Sequence, residues 1–200
     1  MNISQLFYLI SWDMRVNHGV SFDCIRAKLL LIEIRIEQFI HRNFYRSSNP
    51  LSIVWYLTRF FGSIFQWLLC NSNIPGTTTI GRGLRLPHPQ NIIMAEFSEF
   101  GEFCTIYHNV SIAWNGFQPT VPHSPKIQDK VLIGVNTIIL GDITIGSDVI
   151  IGAGTVVYHS VPDHSRVTSA RIEITSRFPS DLAVLPGSKQ HINDPYGIWR

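Results

Sequence analysis

The chain has 200 residues, 45% of them hydrophobic and 15% charged, with a formal net charge of +2. It is too apolar for a disordered chain, too near neutral for a dedicated nucleic-acid binder, and long enough to bury its own core. Three scattered cysteines, Cys24, Cys70 and Cys104, exclude a disulfide scaffold and offer no metal-ligand spacing, so no metal is expected. A reducing cytoplasm is the simplest compartment.

In chain order, the first residues lack the basic region of a signal peptide, and a short helix is expected over 3–15. Over 24–45, Ile25, Leu29, Ile32, Ile36 and Phe39 recur at spacings of three and four, with Arg26, Glu33, Glu37 and Arg42 between them. That is the pattern of an amphipathic helix. Asn49-Pro50 reads as an N-cap followed by proline at the first helical position, opening a more apolar helix over 51–70. This helix is long enough to span a membrane. Arg59 near its centre would cost about 2.5–3.5 kcal/mol there, so the segment reads first as a buried or interface helix, then as a peripheral membrane contact.

From Ile74 the period changes to six. Ile74, Ile80, Leu86 and Ile92 are followed by Phe100, Ile106 and Ile112, then by Ile127, Ile133, Ile139, Ile145, Ile151 and Val157. Residues six apart fall on different faces of a helix, so the hexad specifies short strands joined by tight corners. The aliphatic residue points inward, and stacked coils bury a continuous column: a parallel β-helix. The register breaks between Ile92 and Phe100 and again over 113–126, where a solenoid would expel the chain as a loop. The expected organisation is a helical region 1–70, a β-helix 71–170 with the excursion 113–126, and a tail 171–200.

Three blocks carry a family resemblance: IGRGLRLPHP (80–89), IIMAEFSEFGEFCTIYHNVSI (92–112) and HSPKIQDKVLIGVNTIILGDITIGSDVIIGAGTVVYHSVPDHS (123–165). They resemble the hexapeptide-repeat acyltransferases, in the branch of the serine O-acetyltransferases, and WDMRVN near the N-terminus is similar to that branch's helical region. The resemblance implies a left-handed β-helix, a homotrimer with sites between subunits, and acetyl-CoA as co-substrate.

Moving an acetyl group from a thioester to a hydroxyl needs a base to take the hydroxyl proton, and imidazole titrates nearest the working pH. The resemblance assigns His88 as that base and His123 as the second active-site histidine. It puts acetyl-CoA along Gly134, Gly152, Ala153 and Gly154, and aligns Asp13 with an acid that contacts the substrate. His108, on a neighbouring coil, reads equally as a surface residue or a substrate contact. Cys104 reads as a small core filler.

The departures direct the choice of acceptor. Pro87 stands where the serine enzymes carry an Asp, Pro122 where they carry an Arg, and Asn73 where they carry the carboxylate that orients the base. A zwitterion needs both charges met in a desolvated cleft. The expectation is therefore a neutral acceptor: a sugar hydroxyl acetylated in surface polysaccharide biosynthesis, by an enzyme in the cytoplasm or at the inner face of the membrane. The alternatives are a serine O-acetyltransferase of cysteine biosynthesis and a non-catalytic β-helix scaffold.

Overall fold

The computed structural model describes residues 1–45, 50, 52–114 and 124–169. The described residues fall in one compact unit, Met1–Ser169. The expected tail, 171–200, lies outside them.

Three helices come first: α1 (Ile3–Val16), α2 (Phe22–Phe44) and α3 (Ser52–Cys70). Asn2 and Gln5 open α1 with a reciprocal capping box, and the Ser21 side chain caps α2 by accepting from the Cys24 N–H. Twelve short strands follow: β1 (Thr79–Ile80), β2 (Ile93–Met94), β3 (Glu99–Phe100), β4 (Thr105–Ile106), β5 (Ser111–Ala113), β6 (Lys126–Ile127), β7 (Leu132–Ile133), β8 (Ile138–Leu140), β9 (Thr144–Ile145), β10 (Ile150–Ile151), β11 (Val156–Val157) and β12 (Arg166–Val167). Every pairing is parallel, and the strands form three flat faces: β1-β3-β6-β9, β4-β7-β10-β12 and β2-β5-β8-β11. The chain winds from the first face to the second and then the third. This is the parallel β-helix that the hexads specify.

The inward column is continuous from Ile74 to Val157. Its register differs in one place from the sequence reading. Met94, not Ile92, pairs with Ile112, while Arg85 bridges to Thr105. The two extra residues therefore lie between Leu86 and Met94, not between Ile92 and Phe100, and they enlarge the corner that carries His88. Ile92 stays buried as a corner residue. This corner turns through left-handed Asn91, and corners elsewhere through Asn109, Asn136 and Gly154 among others.

The first coil has no coil above it, so its backbone groups need other partners. The helices supply them with side chains. The Asp13 carboxylate accepts from Gly83 N (3.0 Å) and Leu84 N (3.1 Å). Asn17 accepts from Leu86 N and donates to Leu84 O. Arg35 donates to Ile80 O and Gly81 O, and Gln38 to Thr78 O. Gln66 accepts from Ile74 N and donates to Ile74 O. Arg35 and Asp13 pair at 2.8 Å, both wholly buried. Burial raises the Asp13 carboxyl above its ordinary value, with the Arg35 contact opposing the shift.

A second polar seam joins α2 to α3. Glu33 and Glu37 lie against Gly62, where a Cβ would collide with the Glu33 carboxylate. Gln66 donates to Glu33, and Arg59 faces Glu37 at 3.5 Å. Arg59, the charge that argued against a membrane span, thus turns inward. Ile53, Val54, Tyr56, Leu57, Phe60, Phe61, Ile64, Phe65, Trp67 and Leu68 are exposed, so of the expected buried or interface helix only the reading as a helix buried within this chain is excluded. Among the described residues it is the one helix long and apolar enough to cross a membrane.

Two stability effects follow. Asp13→Ala strands Arg35 and two backbone N–H groups, and is expected to cost about 3–5 kcal/mol in urea unfolding; a loss under about 1 kcal/mol would contradict the capping role. Burial first, then the Glu37 charge, pushes the Glu33 carboxyl up to about 7. A carboxyl raised in the folded state favours folding below its unfolded value and loses that advantage as pH rises from about 4.5 to about 7. Glu33→Gln should flatten this decline, recovering about 1–3 kcal/mol at pH 8; an unchanged slope would exclude Glu33 as its source.

Candidate active site

The enlarged corner between the second and third faces carries His88. Pro87 and Pro89 fix the backbone on either side of it, and the Pro89 carbonyl is held by the Ser72 hydroxyl at 2.9 Å. The extra length pushes the histidine off the solenoid wall, and its side chain is about half exposed. Nδ1 lies 2.7 Å from Oδ2 of Asp23, in the first turn of α2. Oδ1 of Asp23 accepts from Gln90 Nε2 at 3.2 Å and faces Arg26 at 3.6 Å. Among the described residues the imidazole makes no other hydrogen bond.

Asp23 is the residue at this site that the sequence did not single out. It precedes His88 by 65 positions, and its one local signal is an acid in the first turn of a helix. Asn73, where the resemblance put the orienting carboxylate, is not at the imidazole. Its side-chain oxygen accepts from Arg59 at 3.0 Å.

His108 sits on the next coil with its ring perpendicular to that of His88, centroids 5.6 Å apart. Its Nδ1 is buried without a hydrogen-bond partner among the described residues. Below it the corner continues through Val135 and Ala153: Asn136 N donates to His108 O, and Gly154 N to Val135 O. His88, His108 and the Gly152–Gly154 corner thus lie along one edge of the solenoid. Three coil steps of about 4.8 Å separate its ends, roughly 14 Å. Gly154 turns at φ +69° with open space around it, and Ala153 is exposed. Gly134 faces the other way: a Cβ there would fall 2.6 Å from Ala153 N, so close coil stacking already demands the glycine.

The other singled-out residues fall elsewhere. Asp13 is sealed in the cap, its oxygens taken by Arg35, Gly83 and Leu84, so it holds α1 to the first coil instead of facing an acceptor. His123 lies outside the described residues; the chain re-enters at Ser124, whose hydroxyl donates to Glu96 O at 2.6 Å. Cys104 is buried, its thiol pushed up to about 11 by desolvation, and it donates to Gln128 O at 3.1 Å, as a core residue would.

The family model for the bacterial transferase hexapeptide (six repeats) matches residues 124–159. The serine acetyltransferase of Helicobacter pylori (strain J99) is 31% identical over 148 residues, covering 74% of this chain and 80% of that protein. The serine acetyltransferase of Bacillus subtilis (strain 168) is 34% identical over 113 residues, covering 56% of this chain; the chain spans about half of that relative, 51%. Among solved structures, the Neisseria gonorrhoeae serine acetyltransferase superimposes with a TM-score of 0.69 at 24% identity, over 85% of this chain and 65% of that one. The soybean serine acetyltransferase apoenzyme gives 0.68 at 26% identity, over 84% and 67%.

These relatives overturn the sugar acceptor and the polysaccharide assignment expected from Pro87 and Pro122. That expectation rested on Pro87 and Pro122 before the two histidines and on Asn73 at the position of the orienting carboxylate, with Asp13 as the one substrate-contacting acid kept. The carboxylate beside His88, Asp23, comes from α2 and is taken up by the imidazole, Gln90 and Arg26.

Proposed function

Since the chain belongs to the serine acetyltransferase family of hexapeptide-repeat transferases, we propose that it transfers the acetyl group of acetyl-CoA to the hydroxyl of L-serine, with His88 as the base. The observation that carries this reading is His88 itself. It is raised on an enlarged corner, half exposed, with Nδ1 occupied and Nε2 left for an acceptor.

The step is direct. The serine oxygen bonds to the thioester carbonyl carbon as its proton passes to Nε2 of His88. The carbon–sulfur bond breaks, and the imidazolium returns the proton to the departing thiolate of CoA. The solenoid edge below His88 suits the thioester arm, because the exposed Ala153 and the open space at Gly154 leave room for it beside backbone N–H and C=O groups. Gly152 forms the adjoining turn and Gly134 keeps the coils close. His108 is proposed as an acceptor contact on its place one coil below His88, the two rings edge to face. His123 is proposed as the second histidine on the resemblance alone.

A homotrimer is proposed on the third face of the solenoid. Ile93, Ser111, Ile138 and Val156 stack outward there in register, and the three aliphatic members are exposed. Burying that face between copies would bring its His88-bearing edge against a neighbouring subunit. Ile138→Glu is expected to convert a trimer, measured by light scattering, into monomers; a trimeric variant would exclude this face.

Free-CoA release, followed with a thiol reagent, tests the activity. Acetyl-CoA with L-serine should release CoA, and His88→Ala should lower the rate by about 10²–10⁴-fold. No serine-dependent release, or an unaffected variant, would overturn the reading.

A further inference from the structure

Asp23 has a bland explanation and a sharper one. An acid in the first turn of a helix complements the helix dipole wherever it sits, and Asp23 also faces Arg26 one turn on. Neither requires contact with the solenoid. Yet Asp23 divides its oxygens: Oδ1 is occupied by Gln90 and Arg26, and Oδ2, among the described residues, is given to His88 alone at 2.7 Å. That length suits a charge-assisted N–H···O bond. Gln90 belongs to the same enlarged corner as His88, so the corner holds both the imidazole and the carboxylate.

The coil position where the resemblance expects an orienting carboxylate holds Asn73, and its side-chain oxygen serves Arg59. The solenoid therefore supplies no carboxylate to Nδ1 from that position.

We propose that Asp23 is the positioning residue for the base, a carboxylate delivered from α2 in place of the one missing from the first coil. An ionised carboxylate only accepts hydrogen bonds. Its bond to Nδ1 fixes the ring proton there and leaves the Nε2 lone pair to take the acceptor's proton. It also stabilises the imidazolium that forms when the proton arrives. Because α2 is the helix whose Arg35 and Gln38 cap the first coil, the base is correctly protonated only while that cap is seated.

This inference rests on the proposed role of His88, and its test keeps the two separable. Asp23→Asn offers Nδ1 an amide N–H as readily as an oxygen, so it should release the ring into the Nε2-protonated tautomer. In 15N-histidine NMR at a pH where the ring is neutral, with the His88 signals assigned by their loss in His88→Gln, the wild type should show the Nδ1-protonated form. Asp23→Asn should show the Nε2-protonated form. With acetyl-CoA and L-serine, kcat should fall about 10²–10³-fold while KM for acetyl-CoA stays within about twofold, and Asp23→Glu should recover at least about tenfold of the loss. Ser21→Ala weakens the same helical turn without touching the imidazole, and should lower Tm while leaving the tautomer unchanged. An unaltered tautomer in Asp23→Asn, or a kcat within about threefold of wild type, would overturn the proposal. If the wild type fails to acetylate serine, the functional reading fails, and the tautomer measurement still decides whether Asp23 sets the ring.

Discussion

The unpaired backbone of the first coil is the constraint on which the rest of the molecule depends. A solenoid satisfies its strands by stacking, so its first turn presents peptide groups with no coil above them. Here three helices close that end with polar side chains. Asp13, Asn17, Arg35, Gln38 and Gln66 together meet backbone groups of the coil from Ile74 to Leu86. These contacts explain why so many polar residues are buried in a helical region whose periodicity reads as simply amphipathic. They also fix the position of α2, and with it the turn that holds Asp23.

The second constraint is the aliphatic column. Each coil must return to the same inward register, so added residues can only leave at a corner. Two of them do so between Leu86 and Met94, and they lift His88 to where α2 begins. Cap and corner meet at a 2.7 Å contact between groups 65 residues apart in the chain. Folding of the helical end and the setting of the His88 ring, the proposed base, are therefore linked through one helix. The same edge continues past His108 to Gly154, where open space surrounds the turn, and this is the edge proposed for the thioester arm.

The fold was legible in the sequence because its determinant is periodic: the Ile127-to-Val157 run defines the coils, and i, i+3, i+4 spacing defines α2. The helix ends came close, 3–15, 24–45 and 51–70 being expected against Ile3–Val16, Phe22–Phe44 and Ser52–Cys70, while the cap read at Asn49 lies outside the described residues. His88 stood out as a candidate from its Pro-His-Pro setting within the repeat, though not the enlarged corner that carries it. What escaped was nonlocal. Nothing near residue 13 tells that its carboxylate is sealed by Arg35, and nothing near residue 23 announces a histidine far along the chain. The register break was misplaced because Ile92 is aliphatic and six residues past Leu86, yet it occupies a corner. The acceptor was misjudged because the departures at Pro87, Pro122 and Asn73 were allowed to stand for the whole cleft.

A crystal structure with CoA and L-serine bound would test the account most directly. The account predicts the serine hydroxyl within about 2.6–3.2 Å of His88 Nε2, Nδ1 still on Asp23, and the CoA thiol arm along the His108–Gly154 edge. Serine bound away from His88, or a His88 ring turned from Asp23 in the complex, would contradict it.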